Sequence, residues 1–233
     1  MPDLFVGSVL FLVWNRLFLQ MEKPVLLVCG CERYRAYLEA ALKRMDRPDW
    51  DCIGCVGGQA TSFDPTTRIL TLAVPDTYES LPRKVHAAIT WISRERPGIP
   101  GIFKTDEDIV VSPKALAETI RAHQKRPYWG FEVQFTRAAP IPDTRIQTRF
   151  QNTRLRPSHQ TAKYCFGHGY WLSSAAIPTV VAAADEYAKS YLEDVCTGYV
   201  MNKAKYMPVC IRVPYVEWPR IPALLSANFD SER

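Results

Sequence analysis

Two short apolar runs near the front of the chain constrain its fold more than any other feature. Val25-Leu26-Leu27-Val28-Cys29 is continuous and rich in strand formers, as expected of a strand buried on both faces, and Trp50 to Val56 reads the same way. Between them Tyr34, Tyr37, Leu38, Ala41, Leu42 and Met45 recur at helical spacing on one face, while charged residues occupy the others. Strand, helix and strand in that order predict a right-handed parallel crossover. Gly30 closes the first run and allows a tight backbone turn; Gly57-Gly58 closes the second.

The pattern continues downstream. Thr61 to Thr67 reads as a loop and Arg68 to Val74 as a third strand. A helix is predicted from about Leu81 to Glu95, its apolar face made by Val85, Ala88, Ile89 and Ile92. Gly101 to Val111 is a fourth strand interrupted by acids, and Ser112-Pro113 starts a helix with proline in its first turn, where the missing N–H costs nothing. Strand signal returns over 127–133, helix over 175–188 and from about Tyr191 to Lys205, and a last strand over 209–213. Residues 136–163 are long for a loop, which favours a lid or binding loop. The fold class predicted is α/β, with a mixed, largely parallel sheet flanked by helices in a single domain.

Hydrophobic and charged residues, at 47% and 23%, are in the ordinary globular range, and a net charge of +5 suits an anionic ligand but falls short of a nucleic-acid-binding signature. Seven cysteines without a regular framework read as reduced, which predicts an intracellular, most simply cytoplasmic, location. Cys29-x-Cys31 and Cys52-x-x-Cys55 could gather four thiolates around zinc, but buried small residues in two strands are the simpler reading. Residues 4–19 are apolar but interrupted by Asn15-Arg16, so the uninterrupted part is well short of the ~20 residues that span a bilayer. Residues 1–23 are therefore read as an accessory segment, packed on the domain or lying at a membrane interface, or as an extension upstream of a start at Met21.

Three stretches carry chemistry. In Thr105-Asp106-Glu107-Asp108, alternation along an extended chain turns Asp106 and Asp108 toward one ion and Glu107 away from it, and such hard oxygen ligands suit Mg²⁺ or Mn²⁺. In Leu192-Glu193-Asp194-Val195-Cys196-Thr197-Gly198, two acids open a helix, and an ionised carboxylate there can take a proton from an attacking hydroxyl. In Tyr164 to Ser173, glycines alternate with aromatic residues, so the backbone can approach a ligand closely while rings stack on sugar faces; His168 is the histidine best placed to touch a site.

These stretches, in this order, resemble the β-1,3-glycosyltransferases of the galactosyltransferase, N-acetylglucosaminyltransferase and fringe type, which have a GT-A fold. The resemblance covers roughly residues 68–205. It rests on Asp76-Thr77-Tyr78, Leu81-Pro82-Arg83-Lys84, Trp91, Lys104-Thr105-Asp106-Glu107-Asp108, Tyr164 to Ser173 and Glu193 to Gly198. It implies a GT-A-like domain over 24–233 and metal-dependent, inverting transfer from a nucleotide sugar, UDP-linked, to a hydroxyl of a glycan or glycoconjugate. By the same resemblance Asp106 and Asp108 hold the metal diphosphate, with Glu107 in place of the central acid. Asp194 is the general base, with Glu193 as second choice, while Lys84 lies near the donor and Gly30 near its uridine. The acceptor is expected between the 136–163 loop and the turn of Gly167, His168, Gly169 and Tyr170. No nucleic-acid partner is expected, and membrane contact only through residues 4–19. A metal-dependent nuclease or phosphatase, and a sugar-binding protein without catalysis, are the rival readings.

Overall fold

The computed structural model describes residues 22–135 and 162–217; residues 1–21, 136–161 and 218–233 lie outside the described set. Strand β1 (Val25–Cys29) leads through a 3₁₀ turn, Glu32–Tyr34, into helix α1 (Arg35–Arg44), and β2 (Asp51–Gly57), β3 (Ser62–Asp64) and β4 (Ile69–Leu72) follow. Helix α2 (Leu81–Glu95) precedes β5 (Gly101–Asp106), β6 (Ile109–Val111), α3 (Pro113–His123), β7 (Tyr128–Gly130) and β8 (Val133–Phe135). The second described segment holds β9 (Lys163–Cys165), β10 (Gly169–Ser173), α4 (Ile177–Val181), α5 (Ala184–Ala188), α6 (Glu193–Lys203), β11 (Val209–Cys210) and β12 (Tyr215–Glu217).

One eight-stranded sheet runs in the order β11-β7-β10-β5-β1-β2-β4-β3. Strands β5, β1, β2 and β4 are parallel neighbours, while β10 is inserted antiparallel between β5 and β7. This is the α/β class with a mixed, largely parallel sheet that the sequence implied. Helices cover both faces because each central strand is apolar on both. Val25, Leu27 and Cys29 pack with Val85, Ile89 and Ile92 of α2 and with Ile177, Tyr187 and Val200 beyond it. Leu26 and Val28 pack with Leu38 and Leu42 of α1 and Leu116 and Ile120 of α3. A fully buried aliphatic side chain contributes about 1.5–3 kcal/mol, and β1 buries five apolar side chains in succession. β1 thus fixes the register of its neighbours, pairing Cys29 with Cys55 of β2 on one side and Asp106 of β5 on the other.

That register places the site. From β1 the chain crosses to β2 and β4 on one side, then returns through α2 to β5 on the other. Ligands of open α/β sheets bind beyond the carboxyl ends of strands at such a switch point, and Gly30 and Asp106 stand there.

Several local expectations change. Ser62–Asp64 is an edge strand on β4, not a loop. The helix expected over 175–188 is two short ones, α4 and α5. The final strand is only Val209–Cys210. Cys29 and Cys55 face each other in the core, Sγ to Sγ 3.6 Å, but Cys52 packs in the opposite layer and Cys31 lies at a cavity wall, so the four thiols do not converge. No helix among the described residues is long and apolar enough to cross a membrane. Residues 4–19, Met21 and the loop over 136–161 lie outside the described residues.

Candidate active site

A cavity of about 490 Å³ opens at the switch point. Gly30, Cys31, Arg33 and Tyr34 from the β1–α1 connection, with Asp76, Tyr78 and Lys84 from the start of α2, form one wall. Lys104, Asp106 and Glu107 form the floor, and Gly167, His168, Glu193 and Asp194 close the far side.

The near wall is braced by an internal ion pair. Lys84, its side chain only 4% exposed, donates to Gly30 O at 2.6 Å and Asp76 Oδ1 at 2.9 Å. Asp76 Oδ1 also accepts from Gly57 N at 2.9 Å, and its Oδ2 from Glu32 N at 2.5 Å. One half-buried carboxylate thereby ties the ends of β1 and β2 to α2. Burial opposes the charge on Lys84, yet the nearby Cys55 thiol and Asp76 carboxylate leave its pKa raised overall. For Asp76 burial works against ionisation too, but the Glu32 N–H and the Lys84 ammonium outweigh it and lower its pKa.

The floor turns on Lys104, whose side chain is 1% exposed. Its ammonium lies 2.8 Å from Asp106 Oδ1, 2.9 Å from Gly167 O and 3.4 Å from Glu193 Oε2. Burial alone would lower its pKa, but Asp106 and Glu193 more than offset this and raise it well above the ordinary value. Two positions apart on β5, Lys104 and Asp106 share a face. That spacing is the signal by which the sequence places Lys104 in the site, beyond its membership of the Lys104 to Asp108 motif.

The far side comes from α6. Gly198 lets this helix approach β9 closely, since a Cβ there would stand 2.2 Å from Tyr164 Cβ and 2.7 Å from Lys163 O. The first turn of α6 is thereby brought to the 166–168 loop, where Gly167 N donates to Asp194 Oδ2 at 3.2 Å. Val195 N donates to Asp194 Oδ1 at 2.8 Å. Burial, with the Glu193 charge beside it, pushes the Asp194 carboxyl up to about 7, against the lowering effect of Val195 N–H, Lys104 and Gly167 N–H. Asp194 and Asp106 converge: a Cβ on Gly167 would stand 3.7 Å from Asp194 Oδ2, 3.8 Å from Asp106 Oδ2 and 3.6 Å from Lys104 Nζ.

Glu193 has another task. Its Oε1 accepts from the Tyr170 hydroxyl and, at 2.9 Å, from Thr197 Oγ1, while Oε2 faces Lys104. Tyr187 meets Thr197 Oγ1 at 2.8 Å. Glu193 is thus a buried side chain with its oxygens committed to the protein. Asp194, half-buried at the cavity wall, has an oxygen directed at the open space.

Among the remaining expected residues, Gly30, Lys84, Asp106, Glu107, Gly167 and His168 line the cavity. Asp108, Gly169 and Tyr170 do not. For Asp108 the reason is local: β5 ends at Asp106, and Glu107-Asp108 form the turn into β6, so strand alternation does not carry over and Glu107, not Asp108, reaches the wall. Gly169 packs on Phe131 and Phe103, and Tyr170 is wholly buried beneath the floor, holding Glu193. His168 sits at the rim, its Nδ1 2.8 Å from the Tyr215 hydroxyl and its Nε2 2.6 Å from Glu217 Oε1.

A family model described as galactosyltransferase matches residues 67–210. Human β-1,3-galactosyltransferase 2 is 24% identical over 135 residues, covering 58% of this chain and 32% of the relative. Mouse β-1,3-galactosyltransferase 6 is 28% identical over 134 residues (56% and 39%), and pig UDP-GalNAc:β-1,3-N-acetylgalactosaminyltransferase 1 is 25% identical over 145 residues (60% and 41%). The chain therefore spans less than half the length of these relatives. Among solved structures, a glycosyltransferase involved in glycosylating the major capsid of PBCV-1 aligns over 81% of each chain at 10% identity, with a TM-score of 0.46. A galactosyltransferase solved with donor and acceptor sugar analogs aligns over 76% of this chain and 70% of its own at 8% identity, TM-score 0.42. The fold assignment rests on the sheet described above. The relatives also correct one expectation: they are lumenal, Golgi-resident membrane glycosyltransferases, and the cytoplasmic location read from the cysteines is overturned by them.

Proposed function

We propose that this chain, which belongs to the galactosyltransferase family, transfers a hexosyl group from a UDP-sugar to a hydroxyl of a glycan or glycoconjugate, with inversion at the anomeric carbon. The observation that carries this reading is the convergence of Asp106 Oδ2 and Asp194 Oδ2 on one point above Gly167, at the carboxyl end of β1 and β5.

Asp194 is the proposed base. Its ionised Oδ2 takes the proton of the acceptor hydroxyl as that oxygen attacks the anomeric carbon and the bond to the diphosphate breaks. A carboxyl titrating near 7 is well matched to that task, since the proton is accepted with little penalty at neutral pH. The nucleotide is assigned to the wall of Gly30, Arg33, Tyr34 and Tyr78, and the diphosphate to the floor beside Asp106 and Glu107.

The residues fit a hard divalent cation in part. Asp106 offers Oδ2 while Oδ1 is held by Lys104, and among the described residues no group of three or more acids, histidines or cysteines is arranged to enclose an ion. Mg²⁺ or Mn²⁺ tolerates such a site, because it takes much of its shell from water and substrate phosphates. Bound there, it would neutralise charge on the departing diphosphate. Asp106 is the proposed protein ligand; Asp108 would need the 107–108 turn to rearrange before it could join.

The test is release of UDP from UDP-galactose and UDP-N-acetylgalactosamine in the presence of Mn²⁺, with and without chelator. Chelator-sensitive release by wild type and its loss in Asp106→Asn are expected. Chelator-insensitive release retained by Asp106→Asn would contradict the assignment of Asp106.

A further inference from the structure

We propose that Lys104 is a positioning residue for this reaction: one buried ammonium that holds the donor-side acid Asp106, the loop carbonyl of Gly167 and, through Glu193, the first turn of α6 in a single cluster. The proposal rests on the transferase reading above.

An ammonium has three N–H donors. Those of Lys104 are matched by three oxygens, Asp106 Oδ1 at 2.8 Å, Gly167 O at 2.9 Å and Glu193 Oε2 at 3.4 Å. No donor remains for a diphosphate, and the side chain is 1% exposed, so Lys104 acts through its neighbours and does not meet the substrate. Each neighbour leads to a different part of the site. Asp106 is turned so that Oδ1 is occupied and Oδ2 faces the cavity. Gly167, pulled in by its carbonyl, presents its N–H to Asp194. Glu193 is anchored on its far side by Tyr170 and Thr197, which seats the start of α6.

The residue type follows from the geometry. Three oxygens from three segments converge on a point, which suits a compact ammonium; a guanidinium presents a planar fork and does not place its charge at one centre. Glu193 in turn is an anchor. A buried carboxylate that already accepts from two hydroxyls and a lysine is poorly placed to take a substrate proton, which separates it from Asp194.

The test compares Glu193→Gln with the Lys104→Met/Glu193→Gln double variant. The pair removes one positive and one negative charge together, so no lone buried ion is created, the usual reason such a single change destabilises a fold. In Glu193→Gln, Lys104 still has Asp106 and Gly167 O, and a fall in kcat of about tenfold or less is expected. In the double variant a further fall in kcat of about 100-fold is expected, the usual consequence of an ångström-scale misplacement of reacting groups. Equal kcat in the two variants, or a change confined to KM, would overturn the proposal. If the methionine variant does not fold, Lys104→Gln/Glu193→Gln supplies the same comparison. A readout independent of turnover is hydrogen exchange at the Gly167 amide: protected in wild type and Glu193→Gln, faster by at least about tenfold in the double variant. Unchanged protection would also overturn it. Absence of turnover in wild type would count against the transferase reading, and the exchange measurement would still decide the role of Lys104.

Discussion

The backbone N–H of Gly167 donates to Asp194 Oδ2 across 3.2 Å, and the carbonyl of the same residue accepts from Lys104 Nζ at 2.9 Å. A single peptide segment of the glycine-aromatic turn is therefore held between the proposed base and the cation that orients Asp106. Distant parts of the sequence meet there.

Gly167→Ala tests whether the space above the turn is the reacting space. The added methyl would meet its nearest side-chain atoms at 3.6–3.8 Å, ordinary contact distance, so thermal stability should be unchanged. It would nonetheless place an apolar group among Lys104, Asp106 and Asp194. Transfer is expected to fall by about 10²-fold or more, measured by UDP release at saturating donor.

Gly198→Ala should behave in the opposite way. Its methyl would stand 2.2 Å from Tyr164 Cβ, so α6 must move off β9. Overpacking of this kind costs about 1–3 kcal/mol, and denaturant unfolding should show it, with activity falling because the start of α6 moves.

The pH dependence follows from Asp194, raised by burial and by Glu193 to about 7. As a base it works only when ionised, so kcat should rise with pH through about 7 and level off above it.

Stability should move the other way. An aspartate in the unfolded chain titrates near ~3.9. Between that value and about 7 the folded protein binds more protons than the unfolded chain, so this group's contribution falls as pH rises. Below the unfolded value the penalty is absent; above about 7 it is fully present. Asp194→Asn removes the penalty, so thermal unfolding should show the variant gaining on wild type as pH rises from 4 to 8.

Much of this architecture is legible in the sequence. Helix α2 runs over the expected Leu81–Glu95, because its apolar period is unbroken and Pro97 follows closely. β1 was visible as a run of five apolar residues, and the acids that end β5 and open α6 were legible as candidates because carboxylates at element ends need solvent, a partner or a metal. What was missed depends on long-range pairing. The insertion of β10 between β5 and β7 has no local signature, and it carries Tyr170 under the floor to Glu193, not out to an acceptor. Alternation carries Asp106 but not Asp108, because the strand ends at Asp106 and a turn follows. The spacing from Asp106 puts Lys104 on the site's face of β5, but its task shows only when Glu193 and Gly167, 89 and 63 residues later, are seen around it.

Asp194 as the base of a sugar transfer is the central assignment. The most direct test is a comparison of wild type and Asp194→Asn for UDP release from UDP-galactose and UDP-N-acetylgalactosamine, at pH 8 with Mn²⁺, across a panel of β-linked galactose and N-acetylhexosamine acceptors. Acceptor-stimulated release by wild type is expected, lower by about 10²–10⁴-fold in the variant with donor binding retained. Undiminished acceptor-dependent release by a folded Asp194→Asn protein would contradict it.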